Sequence, residues 1–156
     1  MNKLGYWDLS VLYKGFSDPL FSSEISGLKT ELDNFLSYFQ PIVASDDGVA
    51  KNQDSLEQIK TCSFAITSLQ KIERLYSRLS IYIQLILSVD ATNSEALANQ
   101  DVIDGFEPIF QVAISTFSRY MATIKDINVL LDEAKKTKSA DLIQEHSFFL
   151  KEAKEN

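Results

Sequence analysis

The sequence predicts an all-α bundle of about four to six helices, two of them long and antiparallel, and three observations carry that prediction. Only five glycines and three prolines punctuate the 156 residues, too few for the closely spaced turns of a β fold. Apolar residues recur at three- and four-residue steps over long stretches, the period of a helix with one buried face. Hydrophobic residues make up 45% and charged residues 24%, ordinary globular values that predict a packed core rather than disorder. A chain of this length fits one domain, residues 1–156, that can bury roughly 68–70% of its unfolded surface.

The first element is the opening run Tyr6-Trp7-Asp8-Leu9-Ser10-Val11-Leu12-Tyr13, which holds the only tryptophan. Termini fray unless tied down, and aromatics bury roughly 150–250 Å² each, so this run reads as a docked N-terminal segment. Asp18 before Pro19 is an N-cap with proline at the first helical position. Helix one follows with Ile25, Leu28, Leu32, Phe35 or Leu36, and Phe39, ending near Pro41, with Gly27 weakening it by about 1 kcal/mol relative to alanine. Residues 44–52 contain Asp46-Asp47-Gly48 and no periodicity, which marks a loop.

Helix two spans about residues 54–88 on a single apolar face of Ile59, Cys62, Ile66, Leu69, Ile72, Tyr76, Leu79, Ile83 and Ile86. Around residues 81–87 apolar side chains wrap most of the circumference, which predicts burial on more than one side. Thr92-Asn93-Ser94-Glu95 has the capping-box pattern and starts helix three. That helix carries Leu97, Ile103, Phe106, Ile109 or Phe110, Ala113, Phe117, Tyr120 and Ile124. Gly105 and Pro108 interrupt it, so the expectation is a kink near Phe106 or two abutting helices. Two shorter helices follow, at about residues 126–135 and 140–154, joined by a lysine-rich stretch that suits a helix C-terminus.

Composition excludes several function classes. A net charge of -7 argues against a nucleic-acid surface, which needs clustered Lys and Arg. The longest apolar run, residues 81–89, is far short of the roughly 20 residues that cross a bilayer, so no membrane partner is expected. With one cysteine, Cys62, no internal disulfide can form, and no secretory signal opens the chain; the expected setting is cytoplasmic.

Residues able to carry chemistry are few. Zinc peptidase chemistry needs His-Glu-x-x-His, and the chain has one histidine, His146. That residue reads as a rim histidine on the last helix. A Cys62–His146 nucleophilic pair is formally possible, but a cysteine at core spacing normally acts as a small apolar residue. The carboxylates at Asp46-Asp47, Asp132-Glu133 and Glu152-Glu155 read as solvated faces or loop. No phosphate-cradling glycine loop is present. The aromatic stripe Phe106, Phe110, Phe117 and Tyr120 reads as helical core, with a ligand wall as the alternative. Phe148 and Phe149 carry the same two readings, a core contact or a recruitment site for a partner. No catalytic residue, metal ligand or cofactor is assigned within the chain.

The opening Trp7-Asp8-Leu9-Ser10-Val11-Leu12-Tyr13, followed by Asp18-Pro19, resembles the N-terminal region of oligoendopeptidase F, a zinc metallopeptidase of the thimet-oligopeptidase group. The remainder is similar in texture, through Leu75-Tyr76-Ser77-Arg78-Leu79-Ser80-Ile81-Tyr82, the Asp90-Ala91-Thr92-Asn93 turn and the final His146-Ser147-Phe148-Phe149-Leu150. In the family the catalytic part follows such a segment. The resemblance implies the front, non-catalytic part of an all-helical peptidase, walling a channel that admits short peptides. Zinc is implied for the full-length parent only, and the implied partner is the catalytic domain of the same polypeptide. Trp7, Asp8, Leu12 and Tyr13 match the opening motif, with a structural docking role. The competing class is a free-standing helical interaction or scaffolding domain with an apolar groove for a partner helix. A third, a small enzyme using Cys62, predicts a reactive thiol in the native state.

Overall fold

The computed structural model describes residues 9–43 and 53–156. Among these the chain is all-helical, without a strand, as the periodicity predicts. Trp7, Asp8 and the loop expected at residues 44–52 lie outside the described residues. A short 3-10 turn at Leu9–Val11 leads to α1 (Pro19–Val43) and α2 (Ser55–Val89). These are followed by α3 (Ser94–Asp104), α4 (Glu107–Ala122), α5 (Ile127–Ala134), α6 (Ala140–Glu145) and α7 (Ser147–Glu155).

Local chemistry sets these bounds. The Asp18 carboxylate accepts the N–H of Leu20, a donor that the start of α1 leaves open, and the N–H of Lys14 in the preceding turn, each at 2.9 Å. Those two bonds hold its carboxyl below the usual range. The first helix outruns its predicted end, because Pro41 sits in the last turn, where a missing N–H costs a single intrahelical bond. A reciprocal capping box starts α2: Asp54 accepts from the Glu57 N–H at 2.8 Å and Glu57 accepts from the Asp54 N–H at 3.3 Å. The box expected at residues 92–95 does not form. Asn93 is the cap there, accepting the Ala96 N–H at 2.9 Å, since the Thr92 hydroxyl is committed to the Asp90 carboxylate at 2.9 Å.

Pro108 opens α4, and Gly105 ends α3, so the third predicted helix is two abutting ones. The last predicted helix, residues 140–154, is also two, broken at His146. No glycine or proline marks that break. The His146 Nδ1 lies 2.9 Å from the Leu142 carbonyl and its Nε2 2.8 Å from the Gln70 amide nitrogen on α2. The amide N–H donates to Nε2, so Nδ1 carries the proton and donates to the carbonyl. A contact across the bundle thus ties down the joint.

Helices α1 and α2 pack antiparallel: Phe35 faces Phe64, Glu31 meets Lys71, Gly27 faces Leu75 and Phe21 meets Tyr82. Helix α3 runs back along α2, with Gln84 bonded to Gln100 at 2.7 Å, while α4 packs on α1 and α7 and reaches α2 where Cys62 Sγ lies 3.7 Å from Met121 Sδ. An aromatic seam joins α1, α4 and α7, where Phe39 meets Phe117 and Tyr120 at 5.8 and 5.6 Å and Phe117 stacks on Phe149 at 5.8 Å. Aromatic pairs of this kind add about 0.5–1.5 kcal/mol beyond their burial. The expectation that residues 81–87 are buried on more than one side is met, with one edge left open. Ile81 is 53% exposed, because α3 flanks the run on one side and α1 with the opening segment on another, leaving a free edge.

Candidate functional site

Two places in the molecule gather side chains from several elements. The first is where the opening segment meets the long helices. Tyr13 is buried, with its ring edge-on to Phe21 at 5.2 Å and to Tyr82 at 4.9 Å. Its hydroxyl donates to the Glu24 carboxylate, and the Arg78 guanidinium lies 5.2 Å from the ring centroid. Arg78 Nη2 donates to the Leu12 carbonyl at 3.2 Å, while Nε is 3.5 Å from the same Glu24 carboxylate. Burial, then the Glu24 carboxylate, pushes the Tyr13 phenol well up, against a smaller opposing effect of Arg78. Leu12 itself is half-buried against the core. The two described residues of the predicted docking motif, Leu12 and Tyr13, are therefore held by one side chain from α1 and one from α2.

The second is a groove of about 430 Å³ lined by α1, α2, α4 and α7. Leu28, Leu32, Leu69 and Ile72 form its floor, and Phe106, Phe110, Ile114 and Phe149 form its walls. Tyr76 and Ser77 contribute hydroxyls, and the two charged residues of the lining, Glu73 and Glu107, are both acidic and exposed. Burial, followed by the nearby Glu107 and Asp104 carboxylates, raises the Tyr76 phenol above its ordinary value, so at neutral pH it is a hydrogen-bond donor. The volume falls within the roughly 300–1,000 Å³ of ligand sites, and a mostly apolar lining with a few polar groups is their usual make-up.

The predicted aromatic stripe divides between its two readings. Phe117 and Tyr120 are core, whereas Phe106 and Phe110 are half-buried walls of the groove. The Phe148-Phe149 pair divides likewise, Phe149 stacking on Phe117 and Phe148 standing 76% exposed.

The Cys62–His146 pair considered from the sequence is not assembled. Cys62 is fully buried, and burial pushes its thiol up to about 12, away from the thiolate that a nucleophile requires. His146 bonds to Gln70, eight residues further along α2, about 12 Å of helix axis from Cys62. The pair is not brought together. Among the described residues no group of three or more His, Cys, Asp or Glu could hold a metal ion. Asp132 is exposed and pairs with Lys135 at 3.2 Å, and Glu152 and Glu155 are exposed, as solvated faces should be. No described helix is long and apolar enough to cross a membrane.

Sequence reasoning missed Glu24 and Arg78 as anchors and Glu73 and Glu107 as the acidic rim. Each is an unremarked charge on a helix, and only the partner helix gives it a role. With this geometry the chain is a helical bundle with a built docking joint and an apolar groove. In comparisons with protein-family models, curated proteins and solved structures, nothing matches it.

Proposed function

We propose that this chain is a non-catalytic helical domain that walls the peptide channel of a zinc-dependent oligoendopeptidase. The observation that carries the reading is the opening Trp7-Asp8-Leu9-Ser10-Val11-Leu12-Tyr13, which resembles the start of that family. The anchoring of Leu12 and Tyr13 by Arg78 and Glu24 supports a docking role for the motif. In this reading the zinc and the hydrolytic groups belong to the catalytic domain of the same polypeptide, and short peptides are substrates of the whole. The inaccessible Cys62 and the doubly bonded His146 support a structural rather than a chemical part for this domain. A cytoplasmic setting goes with the lone unpaired cysteine.

The test is the intact mass of the protein in its source cells, detected with an antibody against this domain. A species several times larger than 17.6 kDa, with peptide hydrolysis lost on chelation and regained with zinc, is the expected result. A species of 17.6 kDa alone would overturn it. The second reading, a free-standing interaction domain, would then lead, and the acid-rimmed groove is the observation that favours it.

A further inference from the structure

We infer that the groove between α1, α2, α4 and α7 is a docking site for an amphipathic helix that presents a large apolar side chain with a lysine or arginine about one turn away. The inference rests on the groove as a binding surface and not on the peptidase reading. Shape and chemistry select the occupant together. The floor is aliphatic and the walls are aromatic, which suits one or two large apolar anchors inserted from a helix laid along the groove. Glu73 and Glu107 rim this depression, and among the described residues neither is in an ion pair. Arg74 shares a shallow outer depression with Glu73 but does not line the groove.

A cation entering here meets two carboxylates beside an aromatic lining of Phe106, Phe110 and Tyr76. An anion meets the same carboxylates on a chain whose net charge is already -7, so like-charge repulsion rejects it. Apolar burial supplies the affinity, and the rim chooses the sign of the partner.

The probe is a fluorescein-labelled, helix-forming peptide of leucine, phenylalanine, alanine and lysine, compared by anisotropy with a twin whose lysines are glutamates. The lysine peptide is expected to bind saturably and about tenfold tighter than its twin, as two rim charges of ordinary strength allow. The double variant Glu73→Gln with Glu107→Gln removes two exposed charges while leaving an amide oxygen to accept the bond that Gln111 donates at position 107, and it should reduce that preference to about twofold or less. Phe110→Ala should weaken both peptides, its helical content checked by circular dichroism. Equal binding of the two peptides, a preference unchanged in the double variant, or no saturable binding would each overturn the inference. The intact-mass measurement decides the peptidase reading independently.

Discussion

Replacing Tyr13 tests whether the opening segment is part of the core or merely lies on it. Tyr13 is only 2% exposed and makes two edge-on aromatic contacts and one bond to a carboxylate. Tyr13→Phe removes the bond and keeps the packing. Hydrogen bonds to charged groups contribute about 1.5–3 kcal/mol, and Glu24 keeps Arg78 as a neighbour, so the lower end of that range is expected. Tyr13→Ala also empties the pocket between Phe21 and Tyr82, and large aromatic truncations cost about 3–5 kcal/mol. For a chain of this size that lowers Tm by roughly 6–20 °C, at about 2–4 °C per kcal/mol. Val11→Ala is the control, because Val11 is 79% exposed and such positions usually change stability by less than about 0.5 kcal/mol. Urea unfolding followed by circular dichroism measures all three. If Tyr13→Ala falls as close to the parent as Val11→Ala does, the segment adds nothing to the core and the docking argument fails.

Other outcomes follow from burial. Cys62 should resist a thiol reagent in the native protein and react at once in denaturant; rapid native labelling would contradict its enclosure. Tyr120 and Cys62 are both raised in the fold, Tyr120 chiefly by burial and Cys62 from 9.0 to about 12. Their stabilisation is complete below the unfolded values and is lost as pH rises toward the folded ones. Stability should therefore fall from about pH 9 upward, by about 1.4 kcal/mol per pH unit for each group titrating only in the unfolded chain. Denaturant midpoints that stay flat from pH 9 to 11 would refute this. Gly27→Ala should stabilise by about 0.5–1 kcal/mol, since the added methyl would meet Leu75 Cδ1 at an ordinary 3.8 Å; a loss of stability would mean that α1 and α2 pack closer than described.

The fold was legible where period and length agree. Helix α2 could be read because Ile59, Cys62, Ile66 and Ile72 repeat over many turns, and the α3–α4 junction because Pro108 cannot continue a helix. Burial of residues 81–87 on more than one side could be read, but not which edge stays open at Ile81, because hydropathy says how much a run gains from cover and neighbouring helices decide where it receives it. The break at His146 was invisible for a related reason, since the Gln70 side chain bonded to it comes from another helix. Of the docking motif, Tyr13 could be recognised as an anchor from its chemistry alone. The groove could not, because Leu28, Glu73, Phe110 and Phe149 are far apart in sequence and only packing brings them together.

The joint at Tyr13 also dictates an order of events during synthesis. Its binding surface joins Phe21 and Glu24 of α1 to Arg78 and Tyr82 of α2, so the opening segment cannot complete its docking until the end of α2 has emerged. At about 5–20 residues per second, the wait over roughly seventy residues is on the order of 3–14 seconds. Through that interval Tyr13 and Phe16 lack the cover that the Tyr82 ring gives them both.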